Sequence, residues 1–170
     1  MLKNFNGLDP FFTNNYRRIN IREYARIKKI SPPSASNLLN NLEKEGLLVK
    51  EIEKNYIYYS ANKNNKIFIE LSRIYWLIVF KKIGFIDYLE RELITPLTIL
   101  FGSFSKAEIE DNSDIDLAIF TISNKNIDVK KFENKIKRKI QLFIFKNKKE
   151  VKNKELLNNI LNGFIMSGSW

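Results

Sequence analysis

Two short apolar runs in the C-terminal half of the chain, Leu97–Phe101 and Leu117–Phe120, are bounded by residues that often contact ligands. The first run ends at Gly102-Ser103, and Asp114-Ile115-Asp116 comes directly before the second. Short apolar runs next to turn residues predict buried β-strands. The rest of the chain must therefore fit around a sheet that has a glycine turn and an acidic pair at its strand ends.

These strand ends have the residue types that a phosphate and a divalent metal ion require. Gly102 allows the backbone to approach a ligand closely, and Ser103 supplies a hydroxyl and an N–H at the start of a helix, where phosphate is favoured. Residues i and i+2 of a strand share a face about 6.6 Å apart, so Asp114 and Asp116 direct both carboxylates to one side. Such oxygen ligands suit Mg²⁺, which also binds substrate phosphates.

Composition limits the chemistry that is open to this chain. It contains no Cys and no His, which excludes disulfides, thiol nucleophiles, imidazole metal ligands and a Ser-His-Asp triad. Its 29 Lys and Arg residues exceed its 19 Asp and Glu residues, so the formal net charge is +10. This excess favours a polyanionic partner, although a Lys- and Asn-rich chain can also carry such charge without a functional role.

No segment predicts a membrane span or an export signal. The most apolar stretch, residues 75–80, is flanked by charged residues, whereas a spanning helix needs about 20 apolar residues. Residues 1–10 lack the basic start and apolar core of a signal peptide. We therefore expect a cytoplasmic protein.

The N-terminal region predicts two helices and a hairpin. Asn20 and Glu23 form a capping box for the first helix, and Ser31 with Pro32 begins a second helix that ends at Gly46. Two β-rich runs, residues 47–53 and 56–60, then surround Lys54-Asn55. The order is helix, turn, helix and hairpin.

This order, together with residues 31–47, resembles a winged helix-turn-helix, a fold of transcription regulators, over about residues 11–60. The resemblance implies binding of double-stranded DNA. The polar face of the second helix would contact the major groove and the hairpin would contact the backbone. The candidate DNA-binding residues are Ser34, Ser36, Asn37, Asn40, Asn41 and Lys44 on the helix, with Lys54, Asn55 and Lys50 on the wing. A solvated helix face, or a winged helix used for protein contacts, is the alternative.

Residues 62–66 contain no apolar side chain and form the best candidate linker. A helix over residues 67–83 follows, with Phe68, Leu71, Ile74 or Tyr75, and Ile78 predicted on one apolar face, and a shorter helix spans residues 86–93. These helices are interpreted as a packing spacer or a homodimer surface. The predicted division is a winged helix at 1–62, a helical connector at 63–95 and a third domain at 96–170.

The spacing of residues 102–108 and 113–117, each beside a buried strand, resembles the polymerase-beta-type nucleotidyltransferases, and the small minimal members in particular. Residues 160–166 resemble the closing helix and final strand of that family. The resemblance implies transfer of a nucleoside monophosphate (NMP) from an NTP to a hydroxyl. It places Gly102, Ser103 and Lys106 on the nucleotide, and Asp114 and Asp116 on Mg²⁺ or Mn²⁺ as the catalytic carboxylates.

Two departures from the family pattern bear on activity. The family usually has a third carboxylate on the strand that corresponds to residues 140–145 of this chain, and Gln141 occupies its place. An amide supplies neither negative charge nor a useful base. Lys106-Ala107 stands where the family tends to have Arg-Gly. The acidic residues Glu108, Glu110 and Asp111 are candidates to replace the missing carboxylate, but solvated side chains are the simpler interpretation.

The segment 128–139 predicts a helix capped by Asp128, with Val129, Phe132 and Ile136 as its buried stripe. Lysines are frequent on this helix and on residues 146–154. These lysines form either a solvated face or a surface along which RNA or DNA binds. No aromatic residue interleaves these lysines on the exposed face, so a base-stacking platform is not expected.

The sequence thus predicts an α+β protein: a winged helix-turn-helix, a helical connector and a nucleotidyltransferase-like mixed sheet flanked by helices. One hypothesis is an enzyme that binds NTP–Mg²⁺ and modifies an RNA, protein or small-molecule hydroxyl. Another is a catalytically impaired, DNA-binding regulator that senses a nucleotide or acts like an antitoxin. Whether the chain is an enzyme depends on the consequence of Gln141.

Overall fold

The structure is a computed structural model that describes residues 2–170, with side chains from Phe5 onward. Its backbone contacts divide the chain into two compact units: residues 1–72 with 107–111, and residues 73–106 with 112–170. No helix in the described part of the chain has both the length and the apolar character needed to cross a membrane.

The first unit contains short helical segments followed by a helix, turn, helix and hairpin. Its elements are a 3-10 segment Leu2–Leu8, α1 (Asp9–Thr13), β1 (Ile19–Asn20), α2 (Ile21–Lys28), α3 (Pro32–Lys44), β2 (Leu48–Glu53) and β3 (Tyr56–Ala61). The strands form an antiparallel sheet in the order β1-β3-β2. Both predicted caps are confirmed, since the Asn20 side chain accepts from the Glu23 N–H and that of Ser31 accepts from the Ser34 N–H.

The core of this unit is aromatic. Phe11, Phe12, Tyr24 and Phe68 are fully buried. The Phe12 and Phe68 ring centroids lie 5.3 Å apart. On α3 the buried side chains are Ala35, Leu39 and Leu42, which recur at helical spacing and so lie on one side of the helix.

Residues 107–111 pack within the first unit although strands of the second unit precede and follow them. Ile109 is fully buried, and two reciprocal hydrogen bonds hold it. The Asn15 N–H donates to the Ile109 carbonyl at 2.8 Å, and the Ile109 N–H donates to Asn15 Oδ1 at 2.7 Å. The Asn15 side-chain amide donates to the Phe11 carbonyl at 2.7 Å. The sequence predicts solvated acidic side chains in this segment, which are exposed, but it does not show that Ile109 anchors the backbone.

The next helix, α4 (Lys66–Lys82), includes the boundary between the two units at residues 72 and 73. Its buried positions are Phe68, Ser72, Trp76 and Phe80. The predicted face is wrong at Ile74 and Ile78, which are 42% and 37% exposed. Leu71 and Tyr75, also predicted there, are half-buried. This helix is apolar on most sides, so its hydrophobic period alone does not decide which side is covered. The predicted homodimer surface remains a prediction.

The second unit has a four-stranded mixed sheet with helices on it. Its elements after α4 are α5 (Phe85–Glu92), β4 (Leu97–Phe101), α6 (Ser103–Lys106), β5 (Ile115–Phe120), α7 (Lys130–Ile136), β6 (Ile140–Phe145), a 3-10 turn Lys148–Glu150, α8 (Lys154–Leu161) and β7 (Phe164–Ser167). The strand order is β6-β5-β4-β7. Only the β5–β6 pair in this sheet is parallel, which confirms the predicted mixed α+β arrangement of this half.

One face of this sheet carries a cluster of apolar side chains that ends at Asp116. Leu97, Ile99 and Phe101 face the same way as Ala118 and Phe120. These side chains form one cluster with Val151 and Ile160, against which Leu156 and Leu157 of α8 also pack. Asp116, two residues before Ala118, lies on this face at the end of the cluster.

The predicted helix 128–139 is shorter in the structure. α7 begins after Val129 and ends at Ile136, and Lys137, which follows it, adopts a left-handed conformation with φ 54°. Asp128 accepts from the Lys130 N–H rather than capping a longer helix. Phe132 is buried, whereas Val129 and Ile136 are only half-buried. The strand at residues 140–145 lies where the sequence predicts it. The final strand also lies within the predicted segment 160–166 to one residue, but the final helix begins earlier, at Lys154.

Candidate functional site

The turn at the end of β4 is shaped by Gly102. Its φ is +68°, and a Cβ added there would lie 2.3 Å from Asp116 Oδ2. A side chain at position 102 would thus be strained by the backbone and would collide with the carboxylate. The Ser105 hydroxyl donates to the Gly102 carbonyl at 2.9 Å and closes the turn. The structure therefore brings the glycine turn into direct contact with Asp116 of the acidic pair.

Asp114 and Asp116 lie at the start of β5 and flank Ile115, which is fully buried. Both carboxyl side chains are half-buried. Burial, and then the negative charge of Asp114, raise the pKa of Asp116 above its ordinary value. Two carboxylates held together at such cost form a site whose ionised state a cation would stabilise.

Gln141 faces this pair. It is the register partner of Asp116 across the parallel β5–β6 ladder, and its side-chain amide donates to Asp114 Oδ2 at 2.7 Å. The amide neutralises no charge, but it occupies one lone pair of a candidate metal ligand. The acidic pair is consequently completed by a hydrogen-bond donor at the position where the resemblance implies a third acid.

The remaining candidates for a third acid lie in the following segment. Glu108, Glu110 and Asp111 are exposed and belong to the segment 107–111 of the first unit. Asp111 Oδ1 accepts from the Asn14 side-chain amide at 2.8 Å. Within the described residues, no group of three or more acidic, His or Cys side chains is arranged to hold a metal ion.

Ser103 and Lys106 are the first and last residues of α6, a helix of four residues. Ser103 is half-buried and Lys106 is exposed. Ala107, which follows them, is fully buried with φ 55°. This left-handed conformation suits the glycine that the family tends to have there, so the chain accepts strain at that position.

Arg138 is a residue of this region that sequence reasoning missed, because it was grouped with the surrounding lysines. Its guanidinium donates to the Ser113 carbonyl at 3.0 Å and lies 5.4 Å from the Phe104 ring centroid. It therefore braces the backbone directly before Asp114. The available signal was that Arg138 is the only arginine in residues 125–170; a planar guanidinium with several donors suits such bracing better than an ammonium.

A comparison with protein families found one family model that matches the part of the chain containing this sheet and site. Residues 81–163 match the model of the family described as Polymerase beta, Nucleotidyltransferase. The match includes the glycine turn, both aspartates and Gln141, and it begins earlier than the expected start at residue 96, so that it takes in α5. No curated protein matches the chain significantly. The C-terminal part is thus similar to a nucleotidyltransferase domain over these residues.

The candidate DNA-binding side chains of the first unit differ in exposure. Ser34, Asn37, Asn41 and Lys44 are exposed on α3, whereas Ser36 and Asn40 are half-buried. Asn40 Oδ1 accepts from the buried Tyr59 hydroxyl at 2.8 Å, so this side chain is already used within the unit.

The hairpin turn carries Lys54 and Asn55, both exposed and both left-handed, with φ of 46° and 67°. This geometry is typical of a two-residue hairpin turn. The outer face of the hairpin also carries two acidic side chains, Glu51 and Glu53. They pair with Arg18 at 3.1 Å and 2.9 Å, respectively. Any polyanion that approaches the hairpin would therefore meet the tip and Lys50 more favourably than this outer face.

Proposed function

We propose that the C-terminal domain binds an NTP with Mg²⁺ and transfers NMP to a hydroxyl acceptor. The main support for this proposal is the contact between Gly102 and the Asp116 carboxylate. It puts a backbone turn suited to phosphate beside two oxygen ligands suited to a divalent ion. The family match over residues 81–163 supports the same reaction class.

Each residue would have a separate task. Gly102 and Ser103 would face the triphosphate, Lys106 would neutralise part of its charge, and Asp114 with Asp116 would hold Mg²⁺ or Mn²⁺. The fit of a cation is supported by the raised pKa of Asp116, since a positive ion would relieve the repulsion from Asp114. When bound, the metal would supply positive charge that stabilises the reacting phosphate.

The reaction would join the acceptor oxygen to the α-phosphorus and break the bond from that phosphorus to the pyrophosphate oxygen. Pyrophosphate leaves, and the hydroxyl proton passes to solvent. Gln141 cannot accept this proton, so we expect transfer to be slow while nucleotide binding is retained.

The test is incubation of the full chain with α-labelled NTPs, Mg²⁺ or Mn²⁺, and RNA, protein or small-molecule acceptors. Label should move to an acceptor, and Asp116→Asn should abolish the transfer. Asp87→Asn, which changes an exposed carboxylate on α5, is the matched control. Absence of both label transfer and Mg²⁺-dependent nucleotide binding would refute the proposal.

A second candidate function is a DNA-binding regulator with an impaired nucleotidyltransferase domain, in which the first unit acts as a winged helix. It is favoured by the hydrogen bond that Gln141 donates to Asp114 and by the exposed polar stripe on α3. It predicts nucleotide binding without turnover, and duplex DNA affinity that changes when NTP is added. Copurification with a partner protein would instead favour an antitoxin-like role.

A further inference from the structure

The second unit also contains a cavity of about 730 Å³ that includes none of the candidate site residues. Phe120 and Trp170 lie on its apolar side, and Lys146, Lys148 and Lys149 lie on its rim. A volume of several hundred Å³ with an apolar lining and a few polar groups is typical of a ligand site. We call it the lysine-rimmed cavity.

Aromatic rings form a continuous series at this cavity. The ring centroids of Phe145 and Phe120 are 5.7 Å apart, and those of Phe120 and Trp170 are 4.9 Å apart. Phe120 is 7% exposed, whereas Trp170 is 54% exposed. The inner ring thus supports an outer indole that remains largely open to solvent.

Among the described residues, the ammonium groups of the rim lysines, Lys146, Lys148 and Lys149, take part in none of the ion pairs. The Glu150 carboxylate accepts instead from the Lys146 backbone N–H at 2.8 Å. Lys148 Nζ lies 3.6 Å from the Trp170 ring centroid, so the ammonium rests against a π-face. This corrects the expectation that no aromatic residue lies among these lysines, because the fold brings Trp170 to Lys148 from 22 positions away.

The cavity lies on the sheet face that carries the aspartates, but at the other end of β5. Asp116 and Phe120 are four residues apart on that strand, which corresponds to about 13 Å. A ligand in this cavity would therefore leave the glycine turn and the acidic pair uncovered.

We propose that the lysine-rimmed cavity binds single-stranded nucleic acid. A base stacks on Trp170 in place of the Lys148 ammonium, and the released ammonium pairs with a backbone phosphate together with Lys146 and Lys149. An aromatic platform beside ammonium groups that form no ion pair is the combination that single strands use, since every base has a π-face and every linkage has a negative charge. An acidic peptide would satisfy the lysines but would not need the open indole.

The experiment measures fluorescence anisotropy of a labelled five-nucleotide oligouridine with the full chain, in the absence of NTP. Trp170→Ala should weaken binding by about 10-fold or more, and Trp170→Phe should retain most of the affinity because a ring remains. With three phosphate contacts, raising the salt from 50 to 200 mM should weaken binding roughly 20-fold. Lys148→Ala combined with Lys149→Ala should reduce this salt dependence.

Three controls isolate the site. Lys66→Ala with Lys82→Ala removes the same charge from exposed positions on α4 and should leave the affinity nearly unchanged. Asn37→Ala with Asn41→Ala should also have no effect, which separates this site from a duplex site on α3. Asp116→Asn should leave oligouridine binding intact, so the proposal stands or fails independently of nucleotidyl transfer.

The contribution of Trp170 to the intrinsic fluorescence is the difference between the wild type and Trp170→Phe. The oligonucleotide should quench this contribution. The proposal is overturned if Trp170→Ala binds oligouridine as tightly as the wild type. It is also overturned if the quenching is produced only by an acidic peptide, such as alternating Glu and Leu, and not by the oligonucleotide.

Discussion

The side-chain amide of Gln141 donates a 2.7 Å hydrogen bond to Asp114 Oδ2. The two residues come from neighbouring parallel strands, and Asp116 lies directly opposite Gln141 in the register. An acid at position 141 would therefore face the same pair. The present amide satisfies one oxygen of Asp114 without adding charge.

The first prediction follows from this pair. Gln141→Asp places a third carboxylate beside Asp114 and Asp116, where it adds a metal ligand and a proton acceptor, so nucleotidyl transfer should rise by about 10-fold or more. The measurement is labelled NMP transfer under saturating NTP and Mg²⁺. In the control Gln141→Asn, the new side chain is as long as that of Asp but uncharged, so it should not increase transfer. Equal rates in the two variants would count against the role assigned to position 141.

The second prediction concerns Gly102. Gly102→Ala meets the Asp116 carboxylate and a φ of +68°, so nucleotide affinity should fall about 10-fold or more, and the strain should cost about 1 kcal/mol of stability. Gly84→Ala is a matched control, because its φ is +75° and a Cβ there meets nothing within 4 Å. Calorimetric titration with NTP and thermal unfolding separate the two effects. Similar nucleotide affinities in both variants would remove Gly102 from the site.

The third prediction concerns pH. The folded state raises the pKa of Asp116, so the native protein binds this proton more tightly than the unfolded chain does. Ionised Asp116 therefore destabilises the fold at neutral pH, and the penalty disappears as the pH falls through the raised pKa towards 3.8, the ordinary pKa of an aspartate. In EDTA, Asp116→Asn should be more stable than the wild type at pH 7, with a difference that shrinks on acidification.

Mg²⁺ provides the complementary measurement for Asp116. It should stabilise the wild type at neutral pH, because it binds the native state and relieves the repulsion. The asparagine variant should respond much less. A wild type whose unfolding is indifferent to Mg²⁺ would contradict the assigned metal site.

The fourth prediction concerns the anchor of residues 107–111. Asn15→Ala removes the acceptor for the buried Ile109 N–H and the donor to the Phe11 carbonyl. Unsatisfied buried groups cost about 1–3 kcal/mol, so the free energy of unfolding in urea should fall by that amount. Asn14→Ala removes a bond to exposed Asp111 and one from the exposed Tyr16 N–H, and it should cost less because water can replace both. Equal losses would show that burial is not what makes Asn15 important.

The fifth prediction concerns α3. Replacing Asn37, Asn41 and Lys44 with Ala should weaken duplex DNA binding by about 10-fold or more and lower the salt slope by about 1, since one phosphate-contacting cation is lost. Lys66→Ala is the charge-matched control. Gel-shift titration at several salt concentrations provides the measurement. Affinity that is the same in the triple variant and the wild type would leave α3 as a solvated face.

Much of the local structure follows from short-range chemistry and could be read from the sequence. The caps at Asn20 and Ser31, the hairpin turn at Lys54-Asn55 and the bounds of β6 depend on residues only a few positions apart. The glycine turn and the acidic pair were also identifiable, because each must lie at the end of a buried strand to reach a ligand.

Long-range packing decided the rest. The covered face of α4 could not be chosen from its period, because the helix is apolar on several sides. The anchoring of Ile109 by Asn15, the brace from Arg138 to Ser113, and the approach of Trp170 to Lys148 each join residues that are distant in the chain. Sequence spacing specifies which groups an element can present, and only the register and packing of the folded chain determine which groups meet.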